Sequence, residues 1–192
     1  MSYINRLKEA YDSVPQEDLD LLYNTLCCES EYMNPALFFG NGGSAAIANH
    51  VVTDLVKGLA EDSATHCFEA LSLCSNVPLI TAIANDLGYD KVFSKQMEYL
   101  NFPDAIAVAV SSSGNSPNVL EGLKYARSKS YITIALVGFE GGEVLKQGLA
   151  DVLIHVKADN YGIVEDCHMA ILHELAQRLR SSYADDPSSL RL

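Results

Sequence analysis

The chain has 192 residues, 48% of them hydrophobic, enough for one domain with a buried core and short for two. Its formal charge of −12 excludes a basic nucleic-acid footprint and attraction to anionic membranes, since both need concentrated Lys and Arg. Five cysteines, odd in number and without a CxxC pair, point away from zinc fingers and disulfide scaffolds and toward a reducing, cytoplasmic setting. The chain opens without an export signal, and no apolar run approaches the ~20 residues of a membrane span.

In chain order, "SYINRLKEAYDSVPQEDLDLLYNTLCCESEY" carries apolar residues at helical spacing, with Pro15 placed to open a second helix. This predicts a helical arm over residues 1–33, followed by an α/β core over 34–183 and a polar tail over 184–192. From residue 36 the rhythm becomes short apolar runs, "ALFFG", "HCFEALSL", "DAIAVAV", "YITIALVGF" and "DVLIHVKA", which read as buried parallel strands. Between and after them, helices are predicted at about 44–58, 77–86, 90–101, 116–129, 142–149 and 162–183. The alternation implies a doubly wound sheet, whose ligands bind in the crevice beyond the carboxyl ends of the strands.

Two loops at such strand ends are stripped of bulk. "GNGGSAA", Gly40 to Ala46, leaves a strand and opens a helix; its glycines permit a sharp turn and a close ligand approach, and Ser44 stands at the helix start. "SSSGNSPN", Ser111 to Asn118, supplies four hydroxyls ahead of Pro117, with Ser116 at the N-cap position. Each reads either as an ordinary tight turn or as a cradle for an anion. Neither carries the GKS/GKT of a P-loop nor the GxGxxG of a dinucleotide site, so the anion suggested is a smaller phosphorylated molecule.

His50 and Asp54 lie four apart on the helix after the first loop, which puts both on one face, within reach of a shared metal or substrate. In "GIVEDCHMAILHEL", rotation of about 100° per residue puts Asp166 nearly in line with His173 and Glu165 in the adjoining quadrant. Spacing alone leaves the choice of carboxylate open. His168 reads as a structural histidine; His66 at a strand start and His155 within a strand carry no assigned chemistry. Asn85-Asp86 is either a helix-ending turn or a ligand contact.

Taken together and in order, "GNGGSAA", "NHVVTD", "AIANDLGYDKVFSKQ", "SSSGNSPNVLEGLKYA", "GFEGG" and "IVEDCHMAILH" resemble the sugar isomerase (SIS) domain family, and most closely its phosphoheptose isomerase branch, over roughly residues 36–180. The resemblance implies a flavodoxin-like five-stranded parallel sheet and a homotetramer with active sites at subunit interfaces. It further implies aldose–ketose isomerisation of sedoheptulose 7-phosphate to heptose 7-phosphate, an early step toward ADP-heptose. By position, Ser111, Ser112, Ser113 and Ser116 would hold the phosphate. Asn41, Gly42, Gly43 and Ser44 would line the sugar, with Asn85 and Asp86 nearby. Zinc would fall to His50, Asp54, Glu165 and His173, the last reaching in from a partner subunit, with Asp54 and His173 as the catalytic pair and Glu165 also facing substrate. Asp54 replaces the family's usual glutamate, Glu165 its usual glutamine, and Lys57-Gly58 stands in the neighbourhood of a family arginine. The alternative is a non-catalytic SIS module that binds a phosphosugar or a protein partner; the family's replication-initiator-binding relatives tend to lose the terminal histidine, whereas His173 is present here.

Overall fold

The computed structural model describes residues 1–31, 34–62 and 68–185. Helices α1 (Tyr3–Asp12) and α2 (Gln16–Glu31) precede β1 (Ala36–Gly40), and α3 (Gly43–Thr53) runs through a π turn (Asp54–Gly58) into α4 (Leu59–Asp62). There follow β2 (Ala70–Ser72), α5 (Val77–Leu87), a 3₁₀ turn (Tyr89–Lys91) and α6 (Val92–Leu100). The chain continues through β3 (Ile106–Ser111), α7 (Pro117–Ser128), β4 (Ile132–Val137), α8 (Gly142–Lys146), β5 (Val152–His155) and α9 (Tyr161–Tyr183).

The five strands pair in parallel in the order β2-β1-β3-β4-β5, the flavodoxin-like arrangement expected. Parallel neighbours need crossover helices, and these cover both faces of the sheet. Alternation along each strand divides the core. Phe38, Val108, Val110, Ile134, Leu136 and Ile154 point to a cluster shared with α1, α2, α3 and α9. Leu37, Phe39, Ala107, Ala109, Ala135 and Val137 point to a second cluster shared with α5, α6, α7 and α8. The alanines leave room on the second face, and α7 moves in until Gly122 lies against the Phe39 ring, 2.9 Å from where a β-carbon would stand.

Three boundaries differ from the sequence reading. The second strand is confined to Ala70–Ser72; its expected start, including His66 and Cys67, lies outside the described residues, as does the end of the tail. Among the described residues Cys27, Cys28, Cys74 and Cys167 form no disulfide. The helix expected at 142–149 stops at Lys146. The helix expected at 44–58 widens at Asp54 because its buried residues Ile47, Val51, Leu55 and Leu59 repeat every four. That spacing drifts about 40° per step in an ideal α-helix. An i→i+5 turn absorbs the drift and keeps Leu55 and Leu59 in the core. No helix among the described residues is long and apolar enough to cross a membrane.

Candidate active site

The sheet reverses direction of growth between β1 and β3, and both small-residue loops leave the sheet there, from neighbouring strands paired Gly40 to Val110. The fold therefore brings together two loops 70 residues apart in the chain. Asn41, Ser44, Ser111, Ser112, Ser113, Ser116, Tyr161 and Glu165 line a small cavity of about 150 Å³.

The backbone of this cradle is closely braced. Gly42 (φ +56°) turns the chain into α3, whose N-terminus opens at Gly43. Gly114 (φ +63°) packs so tightly on the Gly141–Gly142 backbone that a β-carbon there would collide with the Gly141 carbonyl. The Val144 amide donates to the Gly114 carbonyl at 3.0 Å and the Glu143 amide to Asn115 Oδ1 at 2.9 Å, so the first turn of α8, just after "GFEGG", buttresses the serine loop. Gly114→Ala must lose both the left-handed backbone and this contact. It is expected to destabilise the fold by about 2 kcal/mol or more in urea unfolding and to weaken phosphosugar binding.

Ser116 occupies the N-cap position of α7, with Pro117 in the first turn, yet its hydroxyl makes no capping bond. Ser112 is 5% exposed and its Oγ is buried with no hydrogen-bond partner. Buried hydroxyls are normally satisfied, so the orphaned Oγ beside a helix N-terminus marks a place for an acceptor such as a phosphate oxygen. Asn41 is held by Asn118 through reciprocal amide bonds of 2.8 and 2.9 Å, and Tyr89 donates to its Oδ1 at 2.8 Å. Asn118, Tyr89 and Tyr161 were missed by the sequence reading. Asn118 lies inside the serine motif and Tyr89 inside "AIANDLGYDKVFSKQ", whereas Tyr161 lies in none of the motifs. Asn85 and Asp86 bond to each other at 2.8 Å on the exposed end of α5 and do not line the cavity.

The ionisable groups meet along α3 and α9, which run side by side. His173 Nε2 lies 3.0 Å from His50 Nε2, and Asp54 Oδ2 lies 3.4 Å and 3.5 Å from the two imidazoles. His173 therefore reaches this cluster within its own chain, and the expectation that it needs a partner subunit is corrected. The parallel course of α9 and α3 is the reason. The three donors form the metal-capable group found among the described residues. A tetrahedral zinc with ligands at 2.0–2.1 Å separates neighbouring donors by roughly 3.3 Å, so two nitrogens and one oxygen at these spacings fit such an ion and leave a fourth position open.

Glu165 is not in that group. It crosses α3 at Gly43, where a β-carbon would collide with its carboxylate, and it lines the serine cavity. Asp166 turns away and accepts a 2.6 Å bond from the Tyr3 hydroxyl of α1, which settles which carboxylate faces the site. The other two described histidines, His155 and His168, stand apart from this cluster. His155 Nε2 sits 2.8 Å from the Phe139 carbonyl, and His168 is fully buried, with neither ring nitrogen hydrogen-bonded.

The chain matches the family described as "SIS domain" over residues 16–138. It is 39% identical over 150 residues to a probable phosphoheptose isomerase of Thermoplasma acidophilum, covering 78% of this chain and 80% of that one. It is 37% identical over 145 residues to a phosphoheptose isomerase of Paramagnetospirillum magneticum, covering 76% and 73%. Among solved structures, the phosphoheptose isomerase of Neisseria gonorrhoeae superposes with a TM-score of 0.83 at 29% identity over 92% of each chain. That of Francisella tularensis gives 0.84 at 26% identity over 93% and 92%. With the order of strands, the two loops at the switch point and the histidine pair all in place, the chain belongs to the SIS domain family, in its phosphoheptose isomerase branch.

Proposed function

We propose that this protein is an aldose–ketose isomerase acting on sedoheptulose 7-phosphate. The observation that carries the reading is a distance. Glu165, at the serine cradle, and His173, at the histidine–aspartate cluster, are eight residues apart on one helix, about 12 Å at 1.5 Å per residue. A seven-carbon chain with a terminal phosphate, at ~1.5 Å per C–C bond, spans roughly 10 Å when extended. The phosphate then sits among Ser111, Ser112, Ser113 and Ser116 while the carbonyl end reaches Asp54 and His173.

Isomerisation moves a proton between adjacent carbons through an enediol, which needs a base, an acid that exchanges roles with it, and stabilisation of the oxyanion. Asp54 and His173 share the proton: one takes it from carbon while the other serves the neighbouring oxygen. Asn41, fixed by Asn118 and Tyr89, and Ser44 orient the sugar hydroxyls, with the Gly42-Gly43 backbone allowing close approach. Glu165 accepts hydrogen bonds from substrate hydroxyls next to the serine cradle. His50, Asp54 and His173 would hold a zinc ion, which when bound supplies a Lewis acid for the substrate oxygens. We read the assembly as a homotetramer. The exposed Val77, Leu87 and Tyr99 on α5 and α6 support a buried face there, and Asn85 and Asp86 would meet a neighbouring copy at its edge.

The test is metal analysis of the purified protein followed by incubation with sedoheptulose 7-phosphate. Formation of the aldose, loss of activity on chelation and its return with zinc are expected. Bound phosphosugar without aldose formation would instead identify a non-catalytic module.

A further inference from the structure

The N-terminal arm grips α9 on another flank than α3. The Tyr3 hydroxyl donates to Asp166 Oδ2 at 2.6 Å, and the Tyr11 hydroxyl donates to Glu174 Oε2. Each pair is separated by 163 residues, so α1 and α9 run side by side in one register, with eight residues between the two contacts on either helix. Midway between the tyrosines, the Leu7 carbonyl accepts from the Cys167 thiol, sulfur to oxygen 3.7 Å. Arg178, one turn beyond Glu174, pairs with Asp20 of α2 at 2.9 Å and leaves Glu174 to the phenol.

These contacts stand beside the two working residues of the helix. Asp166 directly follows Glu165, which crosses α3 at Gly43 and lines the serine cavity; Glu174 directly follows His173, which meets His50 and Asp54. Successive residues of a helix stand about 100° apart, so a helix held by Asp166 and Glu174 on one flank presents Glu165 and His173 on the next. The remaining side, with Val164, Ile171, Leu172 and Leu175, is buried in the core. Burial is non-directional and tolerates a small turn of the helix, whereas hydrogen bonds to carboxylates fix a geometry. A turn of about 10° carries a side-chain tip, some 6 Å from the helix axis, through roughly 1 Å. A misplacement of that size can cost about 10²-fold in rate.

We infer that Tyr3 and Tyr11 are positioning residues: the arm sets the phase of α9 at two points, Tyr3 holding Glu165 toward the substrate at the serine cradle and Tyr11 holding His173 toward the reacting carbons. The inference rests on the isomerase reading above. Neither tyrosine lines the serine cavity, so each acts through its neighbour on α9. The two contacts therefore govern different kinetic parameters. Glu165 binds substrate and intermediate alike, so a shift there falls on KM; His173 moves the proton, so a shift there falls on kcat.

The experiment measures kcat and KM for sedoheptulose 7-phosphate in wild type, Tyr3→Phe and Tyr11→Phe, which lose a hydroxyl and keep the ring, with urea unfolding alongside. Tyr11→Phe is expected to lower kcat about tenfold, with KM changed less than about threefold. Tyr3→Phe is expected to raise KM at least about threefold, with kcat within about twofold of wild type. Glu174→Ala severs the Tyr11 contact from the other side. Combined with Tyr11→Phe it should lower kcat no further than either change alone, since the second has nothing left to remove. Should Tyr11→Phe not fold, Glu174→Ala carries the test. Lost stability with unchanged kcat and KM, the same parameter moving in both tyrosine variants, or additive losses in the double variant would overturn the positioning role. Wild-type protein without isomerase activity would instead overturn the functional reading on which it rests.

Discussion

Replacing His173 by alanine is expected to lower kcat for ketose-phosphate isomerisation by about 10²- to 10⁴-fold, the usual contribution of a positioned acid–base group. The side chain touches both His50 and Asp54, so its loss removes a proton carrier and one of the three converging metal donors together. It is also 44% exposed, and truncation opens no core cavity. Unfolding free energies from urea titration of the variant and wild type should therefore agree within about 0.5 kcal/mol, as for other surface substitutions. The two measurements together separate chemistry from folding. Full activity in a well-folded His173→Ala protein would remove the assignment, whereas loss of metal with loss of turnover would support a shared role. His50→Ala offers the comparison: it removes a donor but not a member of the proposed proton-transfer pair.

Acid should destabilise this protein through a different histidine. His168 lies on α9 one turn beyond Val164, whose side chain packs on Gly138 at the end of β4. Burial is complete, and desolvation holds its imidazole down to about 4, opposed only in part by the Val137 backbone. In the unfolded chain the group titrates near 6.5. The unfolded state therefore takes up the proton first as pH falls. Stability is complete above about pH 6.5, is lost progressively toward pH 4, and levels off below it. A difference of roughly 2.5 pH units corresponds to about 3 kcal/mol. Carboxylates titrate in part of the same window, so the informative quantity is the difference from His168→Leu, which fills the space without the titration. That difference, measured by urea unfolding at pH 7 and pH 4, is expected to move by about 3 kcal/mol in favour of the leucine variant. A difference independent of pH would show that the imidazole takes up its proton equally in both states.

His168 also shows how the sequence and the fold divide the information. The sequence reads it as a structural histidine, exposed or packed, and the fold decides that it is buried. Local pattern was enough for the strand–helix alternation, the two loops and the His50–Asp54 pair, whose i, i+4 spacing brings the side chains within 3.4 Å on one helix. Glycines in "GNGGSAA" and "SSSGNSPN" announced the loops because their φ values and close approaches exclude other residues.

What the chain alone left open depended on which face of each helix met which neighbour. Glu165 and Asp166 differ by about 100° of rotation. The Tyr3 hydroxyl on α1, 163 residues away, draws Asp166 outward, and Gly43 receives Glu165. The parallel course of α3 and α9 placed His173 beside His50 in the same chain and carried Arg180 across Gly58. Tyr89 and Asn118 closed on Asn41 from distant segments. The π turn answered to core packing of Leu55 and Leu59. Residue order determined the local geometry and the chemical groups available, since backbone preference and periodicity act over a few residues. Tertiary structure decided which of those groups meet, because the phase and direction of packed helices are set by the burial of surfaces that lie far apart in the chain.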